Sequence, residues 1–186
     1  MPPFKKIVKT LMKRAMEKGA KSVKLISTSD VFAEDFVRQK CRYGCEDYAK
    51  SFTCPPYAPT PDETRKILKS YKQGLLLEFS RVRNKKDQPN VREIMYELER
   101  EAFLNGLYRA FAYTAGPCKI CEICPAGKIE NPNEFSKIKC INPSKARPSM
   151  EACGINVYKT VRKAGFKLDV VTGGECYKCF SLLLLK

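Results

Sequence analysis

The sequence predicts an α/β domain: a mixed sheet of about five strands with flanking helices and cysteine-rich loops. Apolar runs of strand length alternate with segments of helical periodicity, and cap or breaker residues fall between them. Many of the ten cysteines gather in one long polar stretch between two such segments. At 186 residues the chain can bury one sizeable core, so a single domain is expected over 1–186.

The first element reads as an amphipathic helix. Phe4, Ile7, Val8, Leu11, Met12, Ala15 and Met16 share one face, lysines occupy the other, and Gly19 ends it. The short run Val23 to Ile26 follows as a strand, and Asp30 to Lys40 as a helix leading into the first cysteines. Thr60-Pro61-Asp62-Glu63 is a capping box with proline at the first helical position, which starts a helix to about Tyr71. Gly74 releases the chain into the strand Leu75 to Phe79. Arg81 to Gln88 is loop-like, and Asn90 with Glu93 announces a helix bearing Val91, Ile94, Met95, Leu98 and Ala102. Gly106 ends that helix, and a strand from Leu107 to Thr114 opens into a cysteine-rich loop from Gly116 to Pro148. A helix from Ser149 to Ala164, a strand near Phe166 to Val171 and a last strand from Phe180 to Leu185 complete the expectation.

Composition narrows the chemistry. No stretch approaches the roughly 20 apolar residues of a membrane span, and the basic N-terminus lacks the apolar segment of a secretory signal. A cytoplasmic setting is the default, and there cysteine clusters point to metal rather than to disulfides. Histidine is absent, which removes mixed cysteine-histidine zinc fingers, Rieske centres, histidine-ligated haem and the usual nucleophilic triads. The formal charge of +15 favours acidic partners, although scattered lysine and glutamate also match the surface style of heat-adapted proteins. Basic residues form no stripe with interleaved aromatics, so nucleic-acid binding is unsupported.

Cys118, Cys121 and Cys124, followed by Pro125, form a C-x2-C-x2-C-P run. That spacing lets one turning loop present three thiolates to three corners of a 4Fe-4S cubane, with Cys140 the nearest fourth ligand. Zinc is the competing occupant, since paired C-x2-C steps also build four-cysteine zinc sites. A second set is Cys41, Cys45 and Cys54, where Gly44 allows a turn and Pro55 and Pro56 stiffen the exit. If Cys153, Cys176 or Cys179 completes this set, the centre is closed; otherwise one iron stays open to substrate. Cys153 aligns with Val157, Val161 and Ala164 on an apolar face and reads as a core residue. Cys176 and Cys179 form a lone C-x2-C for which ligation, a dithiol redox pair and a zinc knuckle compete. Because the pair precedes a strand, ligation is preferred. Arg147 beside Pro148 and Ser149 suggests either an anion or sulfur contact, or helix capping with a salt bridge.

Taken together, these motifs resemble an uncharacterised prokaryotic family of predicted metal-binding proteins, a cysteine-rich domain of unknown function. The resemblance spans about Cys41 to Val161. It is carried by C-x3-C-x2-Y with Cys54-Pro55-Pro56-Tyr57, by Gly116-Pro117-Cys118 with Cys121 and Cys124, and by Cys140 with Arg147-Pro148-Ser149-Met150-Glu151-Ala152. It implies that Cys41, Cys45, Cys54, Cys118, Cys121, Cys124 and Cys140 are metal ligands, while Asn142 stands where the family often has a histidine. Cys176 and Cys179 lie outside its motifs.

The expectation is therefore an iron-sulfur protein with one or two 4Fe-4S clusters that passes electrons to or from an acidic redox partner. One alternative is a cluster enzyme whose open iron acts on a small anionic or sulfur-containing substrate; the other is a zinc-stabilised binding module.

Overall fold

In the computed structural model, residues 2–80, 90–129, 139–170 and 178–186 are described. The expected loop Arg81 to Gln88 and Cys176 lie outside them. Two leucine-rich strands make the centre of the sheet: β2 (Gln73–Ser80) and β4 (Lys178–Leu184) pair antiparallel from Gly74↔Leu184 to Ser80↔Lys178. β1 (Ser22–Ser27) adds antiparallel to β2, and β3 (Phe111–Tyr113) adds antiparallel to β4, giving the order β1-β2-β4-β3.

Successive side chains of a strand point to opposite faces, so the leucine runs supply two cores. Leu75, Leu77, Phe79 and Leu183 face α1 (Phe4–Glu17) and α4 (Val91–Leu104), which contribute Leu11, Ala15, Met95 and Leu98. Leu76, Phe180, Leu182 and Leu184 face the other way, against Leu68, Met150, Ile155 and Val161. The second layer is built from α3 (Pro61–Lys69), a 3-10 turn at Glu151–Cys153 and α5 (Val157–Lys163). The expected apolar strands and amphipathic helices thus share one α/β domain, and no helix among the described residues is long and apolar enough to cross a membrane.

Three expectations change. The sheet has four strands among the described residues, all paired antiparallel, rather than about five in a mixed arrangement. A parallel contact survives only as the isolated bridge Thr114↔Ser149. Phe166 to Val170 is not a strand: Phe166 and Leu168 are anchored in the second core, the Phe166 ring meeting Phe180 edge-on at 5.4 Å. Arg162 Nε donates to the Leu168 carbonyl at 3.0 Å, which holds this segment against α5 instead of a neighbouring strand.

The expected helix from Ser149 to Ala164 is split. Gly154 adopts φ +77°, a left-handed conformation that L side chains resist, and stops the 3-10 turn. Asn156 then caps α5 by accepting from the Lys159 amide at 3.1 Å. A Cβ on residue 154 would lie 2.6 Å from Pro61 Cγ in the first turn of α3, so glycine also permits this close approach. Gly154→Ala is expected to cost about 2 kcal/mol from backbone strain and overpacking, read as a lower urea midpoint with an unchanged m-value.

The capping signals are realised at atomic detail. Thr60 Oγ1 accepts from the Glu63 amide at 3.2 Å while the Glu63 carboxylate accepts from the Thr60 amide at 2.7 Å. Asn90 accepts from the Glu93 amide at 3.3 Å and fixes the start of α4, whose first turn faces the cysteine loops.

Candidate functional site

The site is built from two loops that meet beside the first turn of α4. One leaves β3 through Gly116 and Pro117 and carries Cys118, Cys121 and Cys124; the other follows α2 (Asp35–Gly44) and carries Cys45 and Cys54. Cys41 is in α2 itself, because that helix begins and ends later than its sequence suggested. Tyr57 joins the loops by donating its hydroxyl to the Ala126 carbonyl at 3.4 Å and packing on Phe52 at 5.6 Å between centroids.

Cys118, Cys121, Cys124 and Cys140 line one hollow, with Phe52, Thr53 and Asn142 in its wall. Its volume is about 10 Å³, room for roughly one water. Asn142 Nδ2 donates to Cys121 Sγ at 3.1 Å, so an amide contacts one of the four sulfurs. Burial pushes the Cys140 thiol up from its ordinary range. The Asn142 backbone opposes this, and negative charge on Cys124, Cys118 and Cys121 adds to it.

Cys41, Cys45 and Cys54 line a second hollow of about 130 Å³ with Pro55, Gly116 and Glu151. Burial raises the Cys41 and Cys54 thiols; charge on Cys45 adds to both, and a hydrogen bond from Ser51 opposes the shift at Cys54. Cys153 is fully buried in the second core, the place its apolar alignment suggested, but in the 3-10 turn rather than on a long helix. Burial drives its thiol up to about 12. Cys179 sits inside β4, so it is a strand residue rather than a loop residue preceding a strand.

Two arginines organise these loops, and the sequence reading singled out neither. Arg92, in the first turn of α4, donates to the carbonyls of Pro117 at 2.9 Å, Gly116 at 3.4 Å and Arg147 at 2.9 Å. Burial lowers its pKa, while negative charge on Cys118 and Cys54 raises it, placing the guanidinium within electrostatic reach of both cysteine sets. A cation in a helix's first turn opposes the helix dipole, and that was the available clue. Arg38 donates to the carbonyls of Ala58, Pro59 and Ala152 and ties α2 to the second layer. Arg147 takes the plainer of its two readings. Its guanidinium grips Glu99 of α4 at 2.6 and 2.8 Å, and Ser149 Oγ accepts from the Ala152 amide at 3.1 Å.

This geometry overturns the iron-sulfur, iron and zinc expectations. Among the described residues no group of three or more His, Cys, Asp or Glu side chains is arranged to hold a metal ion. Cys121 is instead engaged by the Asn142 amide. The 4Fe-4S electron carrier, the open-iron enzyme and the zinc module all required such a group.

Fold and site together define a small α/β protein with two adjoining thiol-lined hollows. The chain belongs to the family described as "Predicted metal-binding protein (DUF2284)", whose model matches residues 24–185. No match is found among curated proteins or among solved structures.

Proposed function

We propose that this chain is a thiol-disulfide redox protein whose working residues are Cys118, Cys121, Cys124 and Cys140. The observation that supports it is that these four free thiols line one hollow, where burial and then charge on Cys124, Cys118 and Cys121 push the Cys140 thiol up. C-x2-C spacing along the loop is short enough for a disulfide once the loop turns two of its thiols toward each other. In each step two thiols lose two electrons and two protons to form one S–S bond, and a disulfide on the partner accepts both and becomes two thiols.

Cys41, Cys45 and Cys54 form the second thiol group, near enough to Arg92 for one cation to bias both sets. The excess of positive charge suits an acidic protein as exchange partner, and a reducing cytoplasm would keep the resting thiols free. The family's description speaks of metal for the family; for this chain the arrangement of side chains favours thiol chemistry.

The test is an anaerobic titration in glutathione buffers poised from about −150 to −300 mV, with thiols counted after denaturation and disulfides mapped by peptide mass. Wild type is expected to lose four thiols in two steps confined to Cys118, Cys121, Cys124 and Cys140, and Cys140→Ser to lose two. Ten thiols persisting at every potential would sink the reading. So would a freshly purified protein carrying stoichiometric iron and sulfide, or stoichiometric zinc.

A further inference from the structure

A third hollow adjoins the Cys41, Cys45 and Cys54 hollow, since Gly116 and Glu151 border both. It measures about 670 Å³, within the range of small-molecule sites and far above the other two. Its floor is the buried apolar surface of Ile155, Leu168 and Phe180. Its rim carries apolar side chains exposed to water: Phe36 is 44%, Tyr158 41% and Val170 71% exposed. Surface that remains wet around an apolar concavity is surface a ligand can cover favourably.

The charges around this hollow are unequal. Among the described residues, Lys40, Arg162 and Lys178 border it against one carboxylate, Glu151. Lys178 is engaged elsewhere, 3.2 Å from the buried Glu78 carboxylate and donating to the Lys167 carbonyl at 2.8 Å. Arg162 spends its Nε on the Leu168 carbonyl, and Asp169 is a weak and exposed partner at 3.9 Å. Lys40 rests over the Phe36 ring at 5.6 Å, which leaves the ammonium beside the apolar rim. Cations next to a wet apolar cavity complement a molecule with an apolar body and one anionic group.

We propose that this hollow is a binding site for a small amphipathic organic anion, its hydrocarbon seated on Leu168 and Phe180 and its acid held by Lys40 and Arg162. A ligand there abuts the Cys41, Cys45 and Cys54 hollow across Gly116 and Glu151. The site does not rest on the thiol-redox reading, because it is defined by shape and charge alone.

The probe is 8-anilinonaphthalene-1-sulfonate, whose fluorescence rises in apolar surroundings, added to the reduced full-length protein. Saturation at one site per chain is expected, with decanoate displacing the probe at roughly tenfold lower concentration than decanol. Lys40→Glu, on an exposed position, should weaken both anions roughly fivefold. Val157→Trp fills the hollow at the start of α5 and should abolish binding, with circular dichroism and the urea midpoint reporting that the fold persists. The proposal falls if the probe does not saturate, if decanol competes as well as decanoate, or if folded Lys40→Glu binds as tightly as wild type. Binding is read without oxidising any thiol, so a failed disulfide titration and a failed binding experiment are told apart.

Discussion

Replacing Arg147 with alanine is expected to destabilise the protein by about 3 kcal/mol and to loosen the segment that carries Cys140. The guanidinium makes two parallel contacts with the Glu99 carboxylate, 2.6 Å from Nη2 to Oε1 and 2.8 Å from Nε to Oε2. Both side chains are largely out of water, at 16% and 12% exposure, so the pair is worth more than a surface salt bridge. The same arginine donates to the carbonyls of Pro143 and Ala146 and lies over the Phe111 ring at 5.4 Å. Its loss strands Glu99, which would retain the Ala112 amide as a donor at 2.7 Å but no cation. Arg147→Lys keeps the charge without the planar fork and should recover less than half of the loss. Urea unfolding of both variants and of Glu99→Gln/Arg147→Ala measures this directly. The double variant should sit above Arg147→Ala, because it removes the stranded charge. Alkylation of Cys140 should quicken in Arg147→Ala while that of Cys153 stays slow. A change below about 0.5 kcal/mol would place the pair among solvated surface contacts instead.

The elements most legible in the sequence were those whose signals are local. Thr60 with Glu63, and Asn90 with Glu93, are caps that work through hydrogen bonds three residues apart, and both appear as read. The leucine runs at 75–77 and 182–184 had the length of strands, and only their pairing with each other explains why both faces are apolar. The errors came from tertiary contacts. Gly154 could be seen as a glycine, but its stop depends on Pro61 lying against it from a different helix. Phe166 to Val170 has an apolar periodicity that suits a strand, yet Arg162 and Phe180 hold it as an irregular segment. For the site, spacing grouped Cys118, Cys121 and Cys124 with Cys140 as the fourth member, and these four line one hollow. Spacing along a chain does not fix the direction of each thiol, and convergence on a metal is a statement about direction. Arg92 carried one clue, a cation in the first turn of a helix, but its partners are backbone carbonyls at 116, 117 and 147, which carry no residue-type signature.

The second large effect is a loss of stability in alkali, centred on Cys153. Its thiol is fully buried beneath α3, and its own carbonyl accepts from Thr64 Oγ1 at 2.7 Å, so the turn is pinned and water has no route to the sulfur. Burial drives the thiol up to about 12 from an ordinary value of 9.0, with the Arg38 charge opposing and the Glu151 charge adding. The sign follows from proton counting. Between these two values the unfolded chain has released its proton and the native chain has kept it, so the native state binds more protons and stability falls as pH rises. This contribution is intact below about pH 9 and is lost progressively up to about pH 12, at about 1.4 kcal/mol per unit and about 4 kcal/mol in all. The buried Tyr113 hydroxyl, also raised by burial, acts in the same direction from about pH 10 upward. Cys153→Ala removes the titrating group at the cost of a small cavity, so it should be slightly less stable than wild type at pH 7 and more stable above about pH 10.5. Urea unfolding of the reduced proteins at stepwise pH values gives both curves, and the prediction is that they cross. Parallel curves would mean that native Cys153 ionises as readily as an unfolded thiol, and its burial would then contribute nothing to the alkaline limit of this fold.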